Sequence, residues 1–134
     1  MPKGENALVD WLRQRFPADP ERVPIGIGDD MASVSLDGNV VQFTADMLLD
    51  GVHFDTRQHI PELIGRKAIA CSLSDCAAMA CRPRVATVSL ALHDGMSMDE
   101  TQRLYEGMAV VAEASIAVTC GGNDPARTAY GGNE

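Results

Sequence analysis

The chain has 134 residues, 46% hydrophobic and 22% charged, so it holds enough apolar material for one domain core and lacks the composition of a disordered segment. Its formal net charge of −8 argues against the basic surface that sequence-independent nucleic-acid binding or adhesion to an anionic membrane requires. No apolar run approaches the roughly 20 residues that span a bilayer, and Met1 to Trp11 lack the apolar segment of a signal peptide, so a cytoplasmic location is expected.

In chain order, residues 4–16 (GENALVDWLRQRF) predict a helix, because Ala7, Leu8, Trp11, Leu12 and Phe16 form an i, i+1, i+4, i+5 stripe. Pro17, Pro20 and Pro24 then mark an irregular connection. Ala32, Val34 and Leu36 alternate with serines, Asp37-Gly38-Asn39 is a turn signal, and Val40 to Asp46 reads as a second strand. Residues 31–46 are therefore expected to form a hairpin. Residues 50–60 form a polar loop with His53 and His59. Residues 61–81 predict a long helix, with Pro61 in its first turn, Glu62 at the positive end of its dipole and Arg82-Pro83 as the stop. Val85 to Leu92 is mostly apolar and reads as a central strand. Residues 98–115 predict another helix with Ser97 or Asp99 as N-cap, and Ile116 to Cys120 a short last strand. The order α-β-β-α-β-α-β predicts an α+β domain: a mixed four-stranded sheet backed by two main helices. With aromatics at 4%, the core is expected from Val, Ile, Leu, Ala and Met.

Cys71, Cys76 and Cys81 are spaced by five. Five helical residues turn about 500°, roughly 140° net, so these thiols are not expected to share a face or to form a zinc cluster. They and Cys120 read as buried structural thiols.

Chemistry-bearing residues gather at element ends. Gly26-Ile27-Gly28-Asp29-Asp30 precedes a strand, Thr44-Ala45-Asp46 ends one, and Gly121-Gly122-Asn123-Asp124 follows the last. Asp75 lies among Leu73, Cys76, Ala77, Ala78 and Met79 in a helix interior, where Asp is a poor helix former and needs a partner. Each motif alone also suits a turn, a cap or a solvated face. Brought together, such carboxylates repel, by roughly 4 kcal/mol for charges about 4 Å apart at an effective dielectric near 20. A divalent cation relieves that repulsion, and an oxygen-only donor set suits Mg²⁺, which bridges to substrate phosphates. The glycines admit close approach of backbone N–H groups to phosphate oxygens, although no P-loop pattern is present.

Gly4-Glu5, GIGDD (26–30), TADMLLDGVHF (44–54), KAIACSLSDCAAMACRP (67–83), SLAL (89–92) and CGGND (120–124), in this order, resemble the thiamine-monophosphate kinase family. That family belongs to the superfamily of aminoimidazole ribonucleotide synthetase and selenophosphate synthetase. The resemblance implies an N-terminal domain whose sheet joins that of a second copy in a barrel, hence a homodimer with ATP near the interface. It implies phosphorylation of thiamine monophosphate by ATP to thiamine diphosphate, in line, without a phosphoenzyme and assisted by Mg²⁺. Asp30, Asp46 and Asp75 match the family's magnesium carboxylates, and Thr44 a hydroxyl residue near a metal. His53 matches a substrate-contacting histidine, and Gly122 a glycine whose backbone meets ATP phosphates.

Two departures stand out. Ala45-Asp46-Met47 replaces Thr-Asp-Thr, and Asn123 falls where the family has a magnesium carboxylate, with Asp124 one residue on. Asn123 is thus expected at both the ATP and the metal positions, and Asp124 as a substitute metal ligand. The expected organisation is an ATP- and magnesium-binding N-terminal domain over 1–124 and a flexible tail over 125–134, without the family's C-terminal domain. The isolated domain is then expected to be inactive. The alternatives are a catalytically degenerate, dimerising ATP-binding relative, and a related enzyme acting on another small phosphate acceptor.

Overall fold

The structure, a computed structural model, describes residues 4–93, 95–113 and the backbone of 117–118. Its elements are α1 (Glu5–Arg15), β1 (Ala32–Leu36), β2 (Asn39–Phe43), α2 (Pro61–Ala78), β3 (Val85–Ala86), α3 (Met98–Ala112) and β4 (Ala117–Val118). Element order and type match the sequence expectation, and the three helices fall inside their predicted ranges.

The expected hairpin is β1 paired antiparallel with β2, in a register running from Ala32 opposite Phe43 to Leu36 opposite Asn39. Both turn residues, Asp37 (φ 47°) and Gly38 (φ 82°), have left-handed backbone, which matches the right-handed twist of the strands. The preceding segment lies along β1: Ser33 N donates to Ile25 O at 2.8 Å and Ser35 N to Arg22 O at 2.8 Å. Ser33 is buried, and its hydroxyl accepts from Gln42 Nε2 at 3.2 Å.

The core sits where α2 crosses α3. Ile64, Ile69, Leu104 and Met108 are buried together, with Phe54, Ala68, Leu73, Ala86, Val88, Met96, Tyr105 and Val111 packed around them. Two glycines make the crossing close. A Cβ added at Gly65 would lie 2.0 Å from Leu104 O, and one at Gly107 would lie 2.1 Å from Glu62 O. A bidentate ion pair spans the same crossing: Arg103 Nε donates to Glu62 Oε1 at 2.6 Å and Nη2 to Oε2 at 3.0 Å. The Arg103 guanidinium holds the Glu62 carboxyl below its ordinary range. Ser97 caps α3 in a capping box, its hydroxyl accepting from Glu100 N at 3.2 Å while Glu100 Oε2 accepts from Ser97 N at 2.8 Å.

Three expectations are corrected. First, among the described residues the strands form two two-stranded ladders, β1–β2 and a parallel β3–β4, with no ladder joining them into a four-stranded sheet. The expected central strand 85–92 contributes only Val85–Ala86, and Val85 is 61% exposed. A strand is central only if neighbours cover both edges, and only one edge of β3 is paired here. Second, α2 stops at Ala78, before Arg82-Pro83. Ala80 adopts φ 50°, its N–H donates to Ala77 O at 3.1 Å, and Cys81 N donates to Cys76 O at 2.9 Å. This is a Schellman turn with alanine in the position that favours glycine. Third, the turn bends the chain back so that Cys76 and Cys81 line one pocket, because helical rotation no longer governs residue 81. Cys71, Cys76 and Cys81 are free and half-buried rather than fully buried. Cys120 lies outside the described residues.

α1 buries none of its residues. Its apolar stripe stays on the surface, with Trp11 49% exposed and edge-on to Phe16 at 6.5 Å between ring centroids.

Candidate functional site

The segment leaving β2 runs antiparallel to the last turns of α2 and is laced to it twice. Thr44 Oγ1 donates to Asp75 Oδ2 at 2.7 Å, and Ser72 Oγ donates to Asp46 Oδ2 at 3.2 Å. Ser72 and Asp75 are three apart on α2 and so share a face, while Thr44 and Asp46 are two apart in the segment that follows β2. The helix-interior Asp75 thereby finds the partner its sequence context demands. Asp75 and Thr44 are half-buried, and Asp46 is exposed. The arrangement gathers two carboxylates and two hydroxyls, all hard oxygen donors.

The loop that follows is ordered by its own carboxylates. Asp50 Oδ1 accepts from Gly51 N at 2.9 Å and Thr56 N at 3.0 Å, and its Oδ2 accepts from Thr56 Oγ1 at 2.7 Å. The Thr56 hydroxyl and N–H hold the Asp50 carboxyl below its usual range. Asp55 accepts from Arg57 Nε and Nη2, each at 2.9 Å, and from Gln58 Nε2 at 2.8 Å. The Arg57 guanidinium is the main reason the Asp55 carboxyl lies well below the usual carboxylate range.

His53 sits within this loop. Its N–H donates to Leu49 O at 2.9 Å, and its Nδ1 accepts from Leu49 N at 2.9 Å. Nδ1 acting as acceptor assigns the proton of the neutral ring to Nε2, which is the nitrogen able to donate to a ligand oxygen. Lys67 of α2 donates from Nζ to the His53 carbonyl and so ties the loop to the helix that carries Asp75.

Asp30 belongs to a different neighbourhood. Asp29 Oδ1 accepts from Asp30 N at 3.0 Å, and Gly28 has φ 102°. Arg13 of α1 donates from Nε to Ile27 O at 2.6 Å and from Nη2 to Gly28 O at 3.1 Å. Asp29 and Asp30 share an open groove with Glu5, Asn6, Val9, Asp10, Arg13 and Gly28. Among the described residues, no three His, Cys, Asp or Glu side chains converge on one point that would hold a metal ion. Gly122, Asn123 and Asp124 lie outside the described residues.

Ser72, Lys67 and Arg13 escaped the sequence reading. Ser72 carried a usable signal, since it lies three residues before the one acid inside an apolar helix. The bonds of Lys67 and Arg13 depend on tertiary placement and leave no local mark.

Residues 28–131 match the profile of the family described as AIR synthase related protein, N-terminal domain, and the chain belongs to that family. Within it, the similar proteins are thiamine-monophosphate kinases. The chain is 33% identical to that of Aquifex aeolicus (strain VF5) over 120 residues, which is 90% of this chain and 37% of the relative. It is 34% identical to that of Rhodopirellula baltica over 127 residues, 89% of this chain and 40% of the relative. A solved structure of AaThiL complexed with AMPPCP and TMP superposes with a TM-score of 0.75 at 32% identity, covering 87% of this chain and 36% of that one. The crystal structure of thiamine monophosphate kinase from Aquifex aeolicus gives 0.62 at 27% identity, covering 84% and 35%. The chain thus spans well under half the length of the relatives it matches.

Proposed function

We propose that this chain is the ATP- and magnesium-binding N-terminal part of a cytoplasmic thiamine-monophosphate kinase, which transfers the γ-phosphoryl group of ATP to thiamine monophosphate. The observation that carries the proposal is the lacing of Thr44 and Asp46 to Asp75 and Ser72, which joins two family motifs into one oxygen-rich site. The ligands of the AaThiL complex, AMPPCP and TMP, suit this reaction.

The donor set fits Mg²⁺. The ion is commonly held by one or two carboxylates plus waters and substrate phosphates, not by a complete protein cage. Asp46 and Asp75, with Thr44 beside them, supply such a pair; the family resemblance adds Asp30 as a further carboxylate, which here lies in the separate groove beside α1. Magnesium held there would supply the neutralisation of polyphosphate charge that a chain of net charge −8 needs in order to accept ATP. The chain's own residues position the reactants. The Asp50 and Asp55 networks fix the loop in advance, and His53 offers its Nε2–H to an acceptor on thiamine monophosphate. By the family resemblance, the Gly122 backbone and Asn123 would contribute to binding ATP, with Asn123 or Asp124 at the remaining metal position. Attack is direct, by a phosphate oxygen of the substrate on the γ-phosphorus. The exposed apolar residues of the hairpin, Val40, Val41 and Phe43, favour a second copy as the dimer mate.

The test is magnesium-dependent formation of thiamine diphosphate by a full-length protein containing this chain. Asp75→Asn should lower kcat by about a hundredfold or more. A protein that binds ATP yet forms no product at any magnesium concentration would overturn the kinase reading. It would establish the degenerate ATP-binding relative instead, the outcome favoured by Ala45, Met47 and Asn123 in place of the family's threonines and aspartate.

A further inference from the structure

Helix α1 buries none of its own residues, yet one of its side chains grips the loop that carries Asp30. Arg13 donates from Nε to Ile27 O at 2.6 Å and from Nη2 to Gly28 O at 3.1 Å, so one guanidinium holds two successive carbonyls. Its third nitrogen, Nη1, faces Asp10 Oδ1 at 3.5 Å, which aims the fork along the helix. Gly28 has φ 102°, a conformation that favours glycine, and a Cβ there would lie 2.0 Å from Arg13 Nη2 and 2.5 Å from its Cζ. The guanidinium therefore closes on backbone that only a residue without a side chain leaves open. The base of the loop is closed separately, where Ile25 bridges Ser33 and Ser33 N donates to Ile25 O at 2.8 Å. That closure fixes where the loop begins and ends, and Arg13 fixes the stretch immediately before Asp29 and Asp30. In the groove lined by Glu5, Asp10, Asp29 and Asp30, Arg13 is the one cation among the lining residues.

We propose that Arg13 is a positioning residue for the magnesium site: its fork sets the backbone at Ile27 and Gly28 and thereby the place of the Asp30 carboxylate. This role rests on the reading of Asp30 as a magnesium carboxylate. Arg13 itself touches no reactant and acts through the loop. Geometry carries the role more than charge does. A lysine ammonium keeps the charge but is a compact point donor, and it cannot span two carbonyls as a planar fork does. Groups that orient a metal's ligands contribute about ten- to a hundredfold to metal affinity, and Arg13 acts through backbone, which places it at the lower end.

The test uses the full-length protein containing this chain and two readouts that need no turnover. In the metal-free protein, NMR relaxation should give the Gly28, Asp29 and Asp30 amides order parameters of about 0.85, falling below about 0.6 in Arg13→Ala and in Arg13→Lys, while Ser33 and α2 stay unchanged. In calorimetric titrations with AMPPCP, the magnesium concentration needed for half-maximal binding should rise about tenfold in both variants. Gly28→Ala drives the guanidinium off the loop from the other side and should shift both readouts in the same direction. Arg15→Ala, which removes the guanidinium 5.2 Å from the Phe16 ring centroid on the same helix, should shift neither. Thermal melts check that every variant is folded. Unchanged order parameters in Arg13→Ala overturn the proposal. So does full rescue by Arg13→Lys, which would leave charge alone as the cause, or a loosened loop with unchanged magnesium dependence, which would make Arg13 merely structural. A wild-type protein that binds AMPPCP with magnesium but forms no thiamine diphosphate refutes the kinase reading and leaves the role of Arg13 standing. A wild-type protein that binds no AMPPCP refutes both.

Discussion

Gly65→Ala separates local helix preference from the geometry of the core. In an isolated helix, replacing glycine with alanine stabilises by about 1 kcal/mol. At the α2–α3 crossing the new methyl would lie 2.0 Å from Leu104 O and 3.0 Å from both Leu104 C and Met108 N, where ordinary contact begins near 3.4 Å. The obstacle is backbone, so no side chain can swing aside and the helices must move apart by more than an ångström. That shift loosens the packing of Ile64, Ile69, Leu104 and Met108. Overpacking costs about 1–3 kcal/mol, and an obstacle of backbone puts this site at the upper end. After subtracting the gain in helix preference, Gly65→Ala should destabilise by about 2 kcal/mol, lowering Tm by roughly 6–10 °C for a chain of this size. Far-UV circular dichroism on heating, supported by urea unfolding, measures it. Gly107→Ala, whose methyl would lie 2.1 Å from Glu62 O, should cost a similar amount. The double variant should cost less than the sum, because the first substitution has already parted the helices. An unchanged or raised Tm in Gly65→Ala would refute the close crossing itself.

Ala80→Gly should stabilise by about 0.5–1 kcal/mol, since glycine adopts the φ of 50° without strain; a higher midpoint in urea is the readout. Stability should fall in acid as Glu62 protonates. Its pKa is depressed in the folded state by Arg103, so its contribution is complete above the ordinary value of 4.5 and is lost as pH drops through the lower folded value. Glu62→Gln should therefore flatten the plot of Tm against pH on its acid limb and leave the neutral region less stable than wild type.

Much of the fold was legible because much of it is local. Pro61, Ser97 with Glu100, and Asp37-Gly38 are punctuation whose effect is complete within a few residues, and α2, α3 and the hairpin follow them. Strand β3 was over-read because apolar residues from Val85 to Leu92 specify a preference for burial without supplying the neighbours. The stripe of α1 was periodic enough to predict a helix, but periodicity does not say what the stripe meets. The site was legible as chemistry and illegible as geometry. Asp75 stood out because an acid in an apolar helix needs a reason, whereas its pairing with Thr44, 31 residues away, is a product of folding. The cysteine spacing misled because helical rotation was carried past the residue where α2 ends.

The two hydrogen bonds between the segment 44–46 and α2 have a mechanical consequence. A single tether would let the strand end pivot about it. Two tethers, crossing from Thr44 to Asp75 and from Asp46 to Ser72, fix both the position of the segment along the helix and its rotation against it. Asp46 and Asp75 therefore move as one body. A push at either carboxylate is transmitted to the other as displacement rather than absorbed as bending. Any ligand that seats itself between them meets a jaw whose gap was set when the chain folded.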